Sequence, residues 1–371
     1  MSNTRNVEVL VKYLIPTHVS LGSSRTSGTQ LVLVKRFLLL LLVSSFILFP
    51  SSPSVPSAKT QTRERIVAKT AAEVIKVDVD LVTIDALVLK KDTARIVGDL
   101  KKDDFLILED GTRQQISHFS RDSLPLSVLL LIDRGGCLDP FSNEVHRAAN
   151  EALSRLKPTD EVAVMSYHTS VELLQPFTRD RSLIAEALNR IPPHDEEANH
   201  CLNKAFSEAA DYMIKAGNPV GRRVVIAITG VTRNFDCSDG PSARQTTHSI
   251  LESGSVVCGL VPTGADQRME NGIMRWATRV GGVLQVSSLN IKQLADDTGG
   301  ELLQDKPENL DTTFNTLIDH LRTRYSLAFV SSNKKRDGSL RKLKVDVAST
   351  VQKSHGKIVV RARRSYVAPR A

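Results

Sequence analysis

The sequence predicts an α/β protein in which a doubly wound, mostly parallel sheet is inserted in, or flanked by, an antiparallel β-sandwich. The inserted domain is predicted over residues 124–322. From Leu126 it alternates short apolar runs with amphipathic stretches, which is typical of strands and helices that follow one another around a parallel sheet. Residues 74–122 and 323–366 instead alternate apolar and polar residues, as half-buried antiparallel strands do. Neither outer segment has enough strands for a core of its own, so we expect the two to pair into one sandwich.

The composition is that of a globular chain. Its 371 residues are 41% hydrophobic and 24% charged, enough for two ordinary domains. The net charge of +8 is uneven: residues 1–58 carry +4, residues 321–371 carry +12, and the rest therefore carries −8. The basic charges at the end alternate with apolar residues and have few interleaved aromatics, so we predict no nucleic-acid partner.

The N-terminal region has the pattern of a secretory leader. Lys35-Arg36 precede an apolar run over 37–49 and then small residues, which predicts a signal peptide over 34–58 and a secreted, periplasmic or cell-envelope protein. The apolar run is short for a membrane-spanning helix, so contact with a membrane would require an uncleaved N-terminal anchor, which is the alternative. Residues 1–33 are expected to be untranslated, with Val34 as the true start, or disordered. Residues 59–73 read as a linker.

The first β segment begins with an alternating strand over residues 74–88 and continues with a hairpin. Phe105 and Ile107 lie before Asp110-Gly111, a dipeptide that favours tight hairpin turns, and residues 115–120 would form the return strand. The last segment has strands from residue 324 onward, with a turn at Asp337-Gly338.

Between these segments the pattern predicts six strands and six helices. The strands at 161–168 and 171–178 are too close for a crossover helix, so they should form a hairpin that adds an antiparallel edge strand. The least readable stretch is 263–288. The remaining predicted strands are 127–133, 223–229, 255–262 and 301–304, and the helices are 143–156, 180–190, 198–215, 242–252, 290–297 and 308–322.

The strand at 127–133 runs directly into a loop of unusual composition. Residues Ser127 to Cys137 read S-V-L-L-L-I-D-R-G-G-C, so the buried strand ends in Asp133. In doubly wound sheets the ligand site lies beyond the carboxyl ends of the strands. We call this edge of the domain the top face, and Asp133 is its first candidate residue.

Several motifs resemble a known bacterial family, the von Willebrand factor A-related domain proteins first described from acidobacterial secreted proteins. The resemblance runs from about Val77 to Pro369 and implies a secreted von Willebrand A-type domain carried on β elements, with no defined ligand. The motifs are L-K-K-D-D-F-L-I-L-E-D-G-T-R-Q-Q-I-S-H-F-S (100–120), L-P-L-S-V-L-L-L-I-D, G-R-R-V-V-I-A-I-T, A-D-D-T-G-G-E-L (295–302) and V-R-A-R-R-S-Y-V-A-P.

The same resemblance implies a metal site built by three top-face loops, and this chain departs from it in each. The first loop should read D-x-S-x-S but holds Asp133, Arg134, Gly135 and Cys137. The second should offer a threonine, where His200 stands, and the third an aspartate, where Gly230 lies nearest. Since Mg²⁺ requires a nearly complete shell of oxygen ligands, we expect no cofactor, and at most weak Mg²⁺ binding through Asp133 and water. These six residues are the predicted ligand-binding face.

Three of the four cysteines fall in the same three loops. In an oxidising compartment a disulfide there could clamp the loops in place of a cation. We favour Cys137 with Cys201, with Cys237 as the competing partner, and three unpaired thiols are the alternative. Cys258 lies in a predicted strand and should be plain core.

No pattern of residues indicates catalysis. The chain has no G-x-S-x-G, no H-E-x-x-H and no phosphate-binding loop, so we predict that it is not an enzyme. Two functions remain open. The first is an adhesion-type module that binds an unknown protein partner through the top face, and the second is a structural or assembly component of the cell envelope that makes its contacts through the β elements.

Overall fold

The structure is a computed structural model that describes residues 81–191, 200–264 and 288–370. The predicted signal peptide, the linker, the first residues of the strand over 74–88 and most of the stretch 263–288 lie outside the described residues. All described residues belong to one compact unit, which begins at Val74. Among these residues, no helix has the length and apolarity needed to cross a membrane.

A six-stranded sheet forms the centre of this unit, in the order β12-β10-β8-β5-β6-β7. Neighbouring strands are parallel except for β7, which runs antiparallel to β6 as the predicted edge hairpin requires. Every residue of β5 is buried, as expected for a central strand covered on both faces. The strands are β5 (Leu126–Asp133), β6 (Glu161–Tyr167), β7 (Val171–Thr178), β8 (Arg222–Ile228), β10 (Val256–Pro262) and β12 (Leu302–Asp305).

Helices cover both faces of the sheet, which confirms the predicted doubly wound architecture. On one face pack α1 (Ser142–Ser154), α2 (Arg181–Asn189) and α6 (Leu310–Arg322), through residues such as Val145, Ile184 and Phe314. On the other pack α3 (Leu202–Met213), α4 (Ala243–Glu252) and α5 (Ile291–Thr298). Each of the six predicted strands and six predicted helices of this region is present.

The two outer segments of the chain build two four-stranded antiparallel sheets. The orders are β15-β1-β13-β4 and β16-β14-β2-β3, so each sheet takes strands from both ends of the chain. Apolar side chains of both sheets form one core, among them Ile84, Ile107 and Phe329. The strands are β1 (Leu81–Lys90), β2 (Phe105–Glu109), β3 (Thr112–Gln114), β4 (Ile116–Ser120), β13 (Tyr325–Val330), β14 (Leu340–Val347), β15 (Ile358–Arg361) and β16 (Ser365–Val367).

The hairpin between β2 and β3 turns where the sequence predicts, but the predicted return strand over 115–120 is wrong. The return strand is β3, and β4 pairs instead with β13 in the other sheet. Asp110 and Gly111 both have positive φ, at 46° and 85°. Two consecutive residues in that region are characteristic of the tight turn whose twist matches that of the flanking strands. The observed sheets therefore confirm an α/β fold flanked by an antiparallel sandwich.

A buried ion pair joins the sandwich to the central sheet. Arg222, the first residue of β8, contacts Asp85 of β1 with its Nε 2.8 Å from Oδ2 and its Nη2 2.9 Å from Oδ1. Its Nη1 donates to the carbonyl of Leu321 at 2.5 Å. Burial alone would raise the pKa of Asp85, but the guanidinium of Arg222 outweighs it and the pKa is lowered.

Two short elements were not predicted. A two-stranded ribbon pairs β9 (Arg233–Phe235) with β11 (Ser288–Asn290), and a short helix α7 (Ser349–His355) connects β14 to β15. The ribbon follows β8 and so belongs to the top face.

Candidate functional site

The top-face cluster forms where three neighbouring strands end. Asp133 is the last residue of β5, Tyr167 is the last residue of β6, and Thr229 directly follows β8. His200 comes two residues before α3. Because β5, β6 and β8 are parallel neighbours, their carboxyl ends meet at one edge and bring these side chains around Asp133.

The carboxylate of Asp133 is fully engaged by protein donors. Its Oδ1 accepts from the backbone N–H of Gly135 at 2.9 Å, and Nδ1 of His200 lies 2.8 and 2.9 Å from its two oxygens. Its Oδ2 also accepts from the Thr229 hydroxyl at 2.5 Å and from the Tyr167 hydroxyl at 3.2 Å. Asp133 is 3% exposed and His200 is 2% exposed. Burial alone would raise the pKa of Asp133, but the hydrogen bond from His200, its charge and the other donors outweigh burial and lower it.

The ring of His200 lies against the backbone of Gly135. A Cβ added at Gly135 would stand within 2.8 Å of three ring atoms of His200. A serine at this position, as in D-x-S-x-S, would therefore collide with the imidazole. Gly135 and His200 are therefore structurally linked, because the ring uses the space that a side chain at position 135 would take.

Cys137 completes the cluster as a protonated thiol. Its Sγ donates to Oδ2 of Asp133 at 3.4 Å and accepts from the backbone N–H of Gly230 at 3.3 Å. Burial and the negative charge of Asp133 raise the pKa of the Cys137 thiol far above its ordinary value. The same causes raise the pKa of Tyr167. Both groups therefore act as neutral hydrogen-bond donors.

The disulfide joins Cys201 to Cys237, so the preferred pairing of Cys137 with Cys201 is wrong and the competing partner is the correct one. The Cα atoms of Cys201 and Cys237 are 5.5 Å apart. The amide of Asn203 aligns the two segments, since its Oδ1 accepts from the N–H of Cys237 at 3.0 Å and its Nδ2 donates to the carbonyl of Cys237 at 3.1 Å. Cys137 instead points to Asp133. Cys258 is free and buried in β10, as predicted.

The other predicted face residues contribute in different ways. Arg134 extends toward the edge strand β7, where its Nη1 lies 3.5 Å from Glu172. Gly230 supplies only its backbone N–H. Thr229 and Tyr167 were not among the residues predicted from the sequence. Thr229 stands beside Gly230 in the I-T-G run, so a search for any hydroxyl, rather than an aspartate, at the end of β8 would have found it.

The residues at this site do not fit a bound cation. Asp133, Cys137 and His200 offer one ligand atom each within 4.8 Å of one another. Their thiol and imidazole are poor ligands for Mg²⁺, which prefers oxygen. They suit Zn²⁺, but ligands on a tetrahedral zinc ion are separated by about 3.3 Å. The separation of 2.8 Å between His200 Nδ1 and Asp133 is that of a hydrogen bond. The imidazole already holds the carboxylate that a cation would need.

Comparison with known proteins agrees with the topology. Residues 128–232 match the family model of the von Willebrand factor type A domain. The six-stranded sheet with its covering helices has the von Willebrand A type of fold. No curated protein matches the chain.

Three solved structures are among those to which the chain is similar. Proximal thread matrix protein 1 of the mussel byssus is 12% identical, with 55% of this chain and 49% of that chain covered and a TM-score of 0.40. The match thus spans about half of the mussel protein. An aerotolerance-related membrane protein from Bacteroides fragilis is 14% identical, with 53% of this chain and 98% of that chain covered and a TM-score of 0.38. A von Willebrand factor type A protein from Catenulispora acidiphila is 10% identical, with 80% of this chain and 75% of that chain covered and a TM-score of 0.40.

Proposed function

We propose that this chain is an exported, non-enzymatic module that binds a protein partner through its top face without a bound cation. The observation that carries the proposal is the Asp133 carboxylate, whose oxygens are occupied by protein donors and whose place for a cation is taken by the His200 ring. A face closed in this way presents a fixed surface to a partner, and needs no ion to do so.

The location outside the cytoplasm has two supports. The pattern at Lys35-Arg36 and the apolar run after it is that of a secretory leader. The Cys201–Cys237 disulfide suits an oxidising compartment, because thiols are kept reduced in the cytosol of most organisms.

The chemistry of the cluster favours binding over catalysis. His200 is 2% exposed, so its ring is poorly placed to exchange a proton with a substrate. The raised pKa of Cys137 keeps its sulfur protonated, whereas a nucleophile would need the thiolate.

The surface around the cluster is polar and exposed. Asp139 follows the first loop, Arg233 lies on β9, and Asp239 forms an ion pair of 2.8 Å with Lys204 near the start of α3. These charges form the rim on which we expect partner contacts, and charged rims influence association rate and specificity more than they influence the stability of the complex.

The test is retention of envelope proteins on the immobilised protein. Detergent extract of the source envelope is applied in EDTA or in millimolar Mg²⁺, with wild type, with the top-face variants Asp239→Lys and Arg233→Glu, and with the sandwich variant Lys342→Glu as a control. We expect the same proteins to be retained in both buffers, less on the two top-face variants, and full retention on the control. Retention only with Mg²⁺ would contradict the proposal.

The second candidate, a structural component that contacts its neighbours through the β elements, is favoured by the outer face of β14. Leu340 is 54% exposed there, next to the exposed Lys342 and Lys344. Retention that is lost in Lys342→Glu and kept in the top-face variants would favour this function.

A further inference from the structure

The disulfide fastens the segment that carries His200. Cys201 directly follows His200, and Cys237 lies in the segment after β9. The bond therefore ties the residue next to the imidazole to the loop that leaves the third strand end. In the described residues it is the covalent link between these two parts of the top face.

Besides the packing of the buried Leu202 into the core, this segment is held by hydrogen bonds. Nδ2 of Asn234 donates to the carbonyl of His200 at 2.8 Å, and the N–H of Cys201 donates to the carbonyl of His168 at 3.1 Å. The Asn203 amide spans the same two segments as the disulfide. Removal of the covalent link leaves the segment to these noncovalent contacts alone, so local opening around His200 should increase.

We infer that the Cys201–Cys237 disulfide is a redox latch of the top face, and that its reduction by a dithiol releases His200 from Asp133. The inference rests on the proposed function in one respect, because the latched face is the one that we expect to bind the partner. Reduction would leave a buried carboxylate with the hydroxyls of Thr229 and Tyr167 and without its imidazole partner, so the closed surface would be lost.

The chemistry of the latch is a balanced exchange. A thiolate of the dithiol attacks one sulfur of the Cys201–Cys237 bond and forms a mixed disulfide, and its second thiolate then displaces the protein sulfur. The two protein sulfurs gain two electrons and two protons in total and leave as thiols. The dithiol gives up the same two electrons and two protons and becomes a disulfide.

Cys137 takes no part in this exchange but reports on it. Its thiol lies inside the cluster, bonded to Asp133 and to Gly230, and its raised pKa makes it a poor attacking group. Cys137 is half-buried, so the closed cluster restricts access of an alkylating reagent to this sulfur, and opening of the cluster increases that access. The rate of Cys137 alkylation therefore measures opening of the top face.

Cys258 is the internal control in the same molecule. It is fully buried in β10 within the core of the central sheet, and burial raises the pKa of its thiol to about 11. It reacts only when the sheet itself unfolds. Comparison of the two thiols separates local opening of the latch from loss of global stability.

The experiment follows alkylation of Cys137 and Cys258 by peptide mass spectrometry at one pH, in wild type and in a Cys201→Ala/Cys237→Ala variant. Arg222→Ala, at the opposite end of β8, is the matched control for general destabilisation. In the disulfide variant we expect the alkylation rate of Cys137 to rise by about tenfold or more beyond any change in the alkylation rate of Cys258. In Arg222→Ala the ratio of the two rates should stay as in wild type. Equal acceleration of both thiols in the disulfide variant, or an unchanged Cys137, would overturn the inference.

Two further measurements test the inference independently. If the double variant does not fold, wild type is treated with dithiothreitol under native conditions, and the same excess rate at Cys137 is expected. A His200→Ala variant with its disulfide intact should also speed Cys137, because the imidazole is the part that closes the cluster, and an unchanged rate there would contradict this role. A latch that opens while partner retention persists would leave this inference standing and contradict the proposed function.

Discussion

At the scale of single residues, the arrangement of side chains around Asp133 depends on one imidazole. His200 supplies the group that faces Asp133, and Gly135 supplies the space for it. Either replacement alone would be unfavourable, since serine at 135 collides with the ring, and threonine at 200 leaves the buried carboxylate without its strongest partner. A buried charge is tolerated only when it is paired.

Gly135→Ser tests this pairing by a double-mutant cycle with His200→Thr. In wild type we expect the serine to lower the free energy of unfolding by about 1–3 kcal/mol, because its Cβ overpacks against the ring. In the His200→Thr background the loss should be less than about 1 kcal/mol. Urea unfolding of wild type, the two single variants and the double variant gives the coupling free energy between positions 135 and 200. Equal losses in both backgrounds would show that the two positions are independent.

The pH dependence of stability tests the state of Asp133. Its pKa in the folded protein is lowered from the ordinary value of 3.8, so the stabilisation is present above that value and is lost as pH falls through the folded pKa. We expect the advantage of wild type over Asp133→Asn to be constant near neutrality and to shrink below about pH 4. Unfolding curves from pH 7 to 3 measure it, and a gap that does not change with pH would be evidence against an ionised, paired carboxylate.

At this scale the sequence predicts which loops lie side by side, but it does not predict the directions of their side chains. Asp133, His200 and Cys137 were expected on one face, and the structure brings them together. The disulfide partner was wrong because sequence places Cys137, Cys201 and Cys237 in adjacent loops without saying where each sulfur points. Thr229 was not predicted because the resemblance implies an aspartate after this strand, and the position of Gly230 was the one assigned to it.

At the scale of elements, hydrophobic periodicity was sufficient where elements are long and buried. Strand β5 and helix α6 carry continuous apolar patterns that only a covered sheet can satisfy. The ribbon of β9 and β11 and the helix α7 are short and lie at the surface, and their residues have no period long enough to detect. Their positions are set by the elements around them.

The junction of β8 with β1 depends on Arg222. Arg222→Ala leaves Asp85 without its partner, and the Asp85 side chain is 24% exposed, so we expect a loss of about 2–3 kcal/mol, slightly below that of a fully buried pair. The matched control is Lys344→Ala, whose 3.3 Å pair with Asp346 is on the surface and should contribute less than about 0.5 kcal/mol. Chemical denaturation compares them, and similar losses would mean that the junction pair adds nothing.

At the scale of the whole molecule, the two ends of the chain close around the α/β unit. Strand β1 pairs with β13, and β2 with β14, although more than 200 residues separate them along the chain. The sequence predicted this pairing because neither end has enough strands to form a sheet with its own core. It could not predict which strands are neighbours, since strand order depends on packing between the two sheets and not on local pattern.

The central claim is that the imidazole replaces a cation at the top face. Thermal unfolding with Mg²⁺, Mn²⁺ and Zn²⁺ tests it most directly, because a ligand that binds the native state raises its melting temperature by mass action. We predict that millimolar Mg²⁺ or Mn²⁺, or a small excess of Zn²⁺, moves the melting temperature by less than about 1 °C. A saturable increase that Asp133→Ala abolishes would contradict the claim and return the site to metal binding.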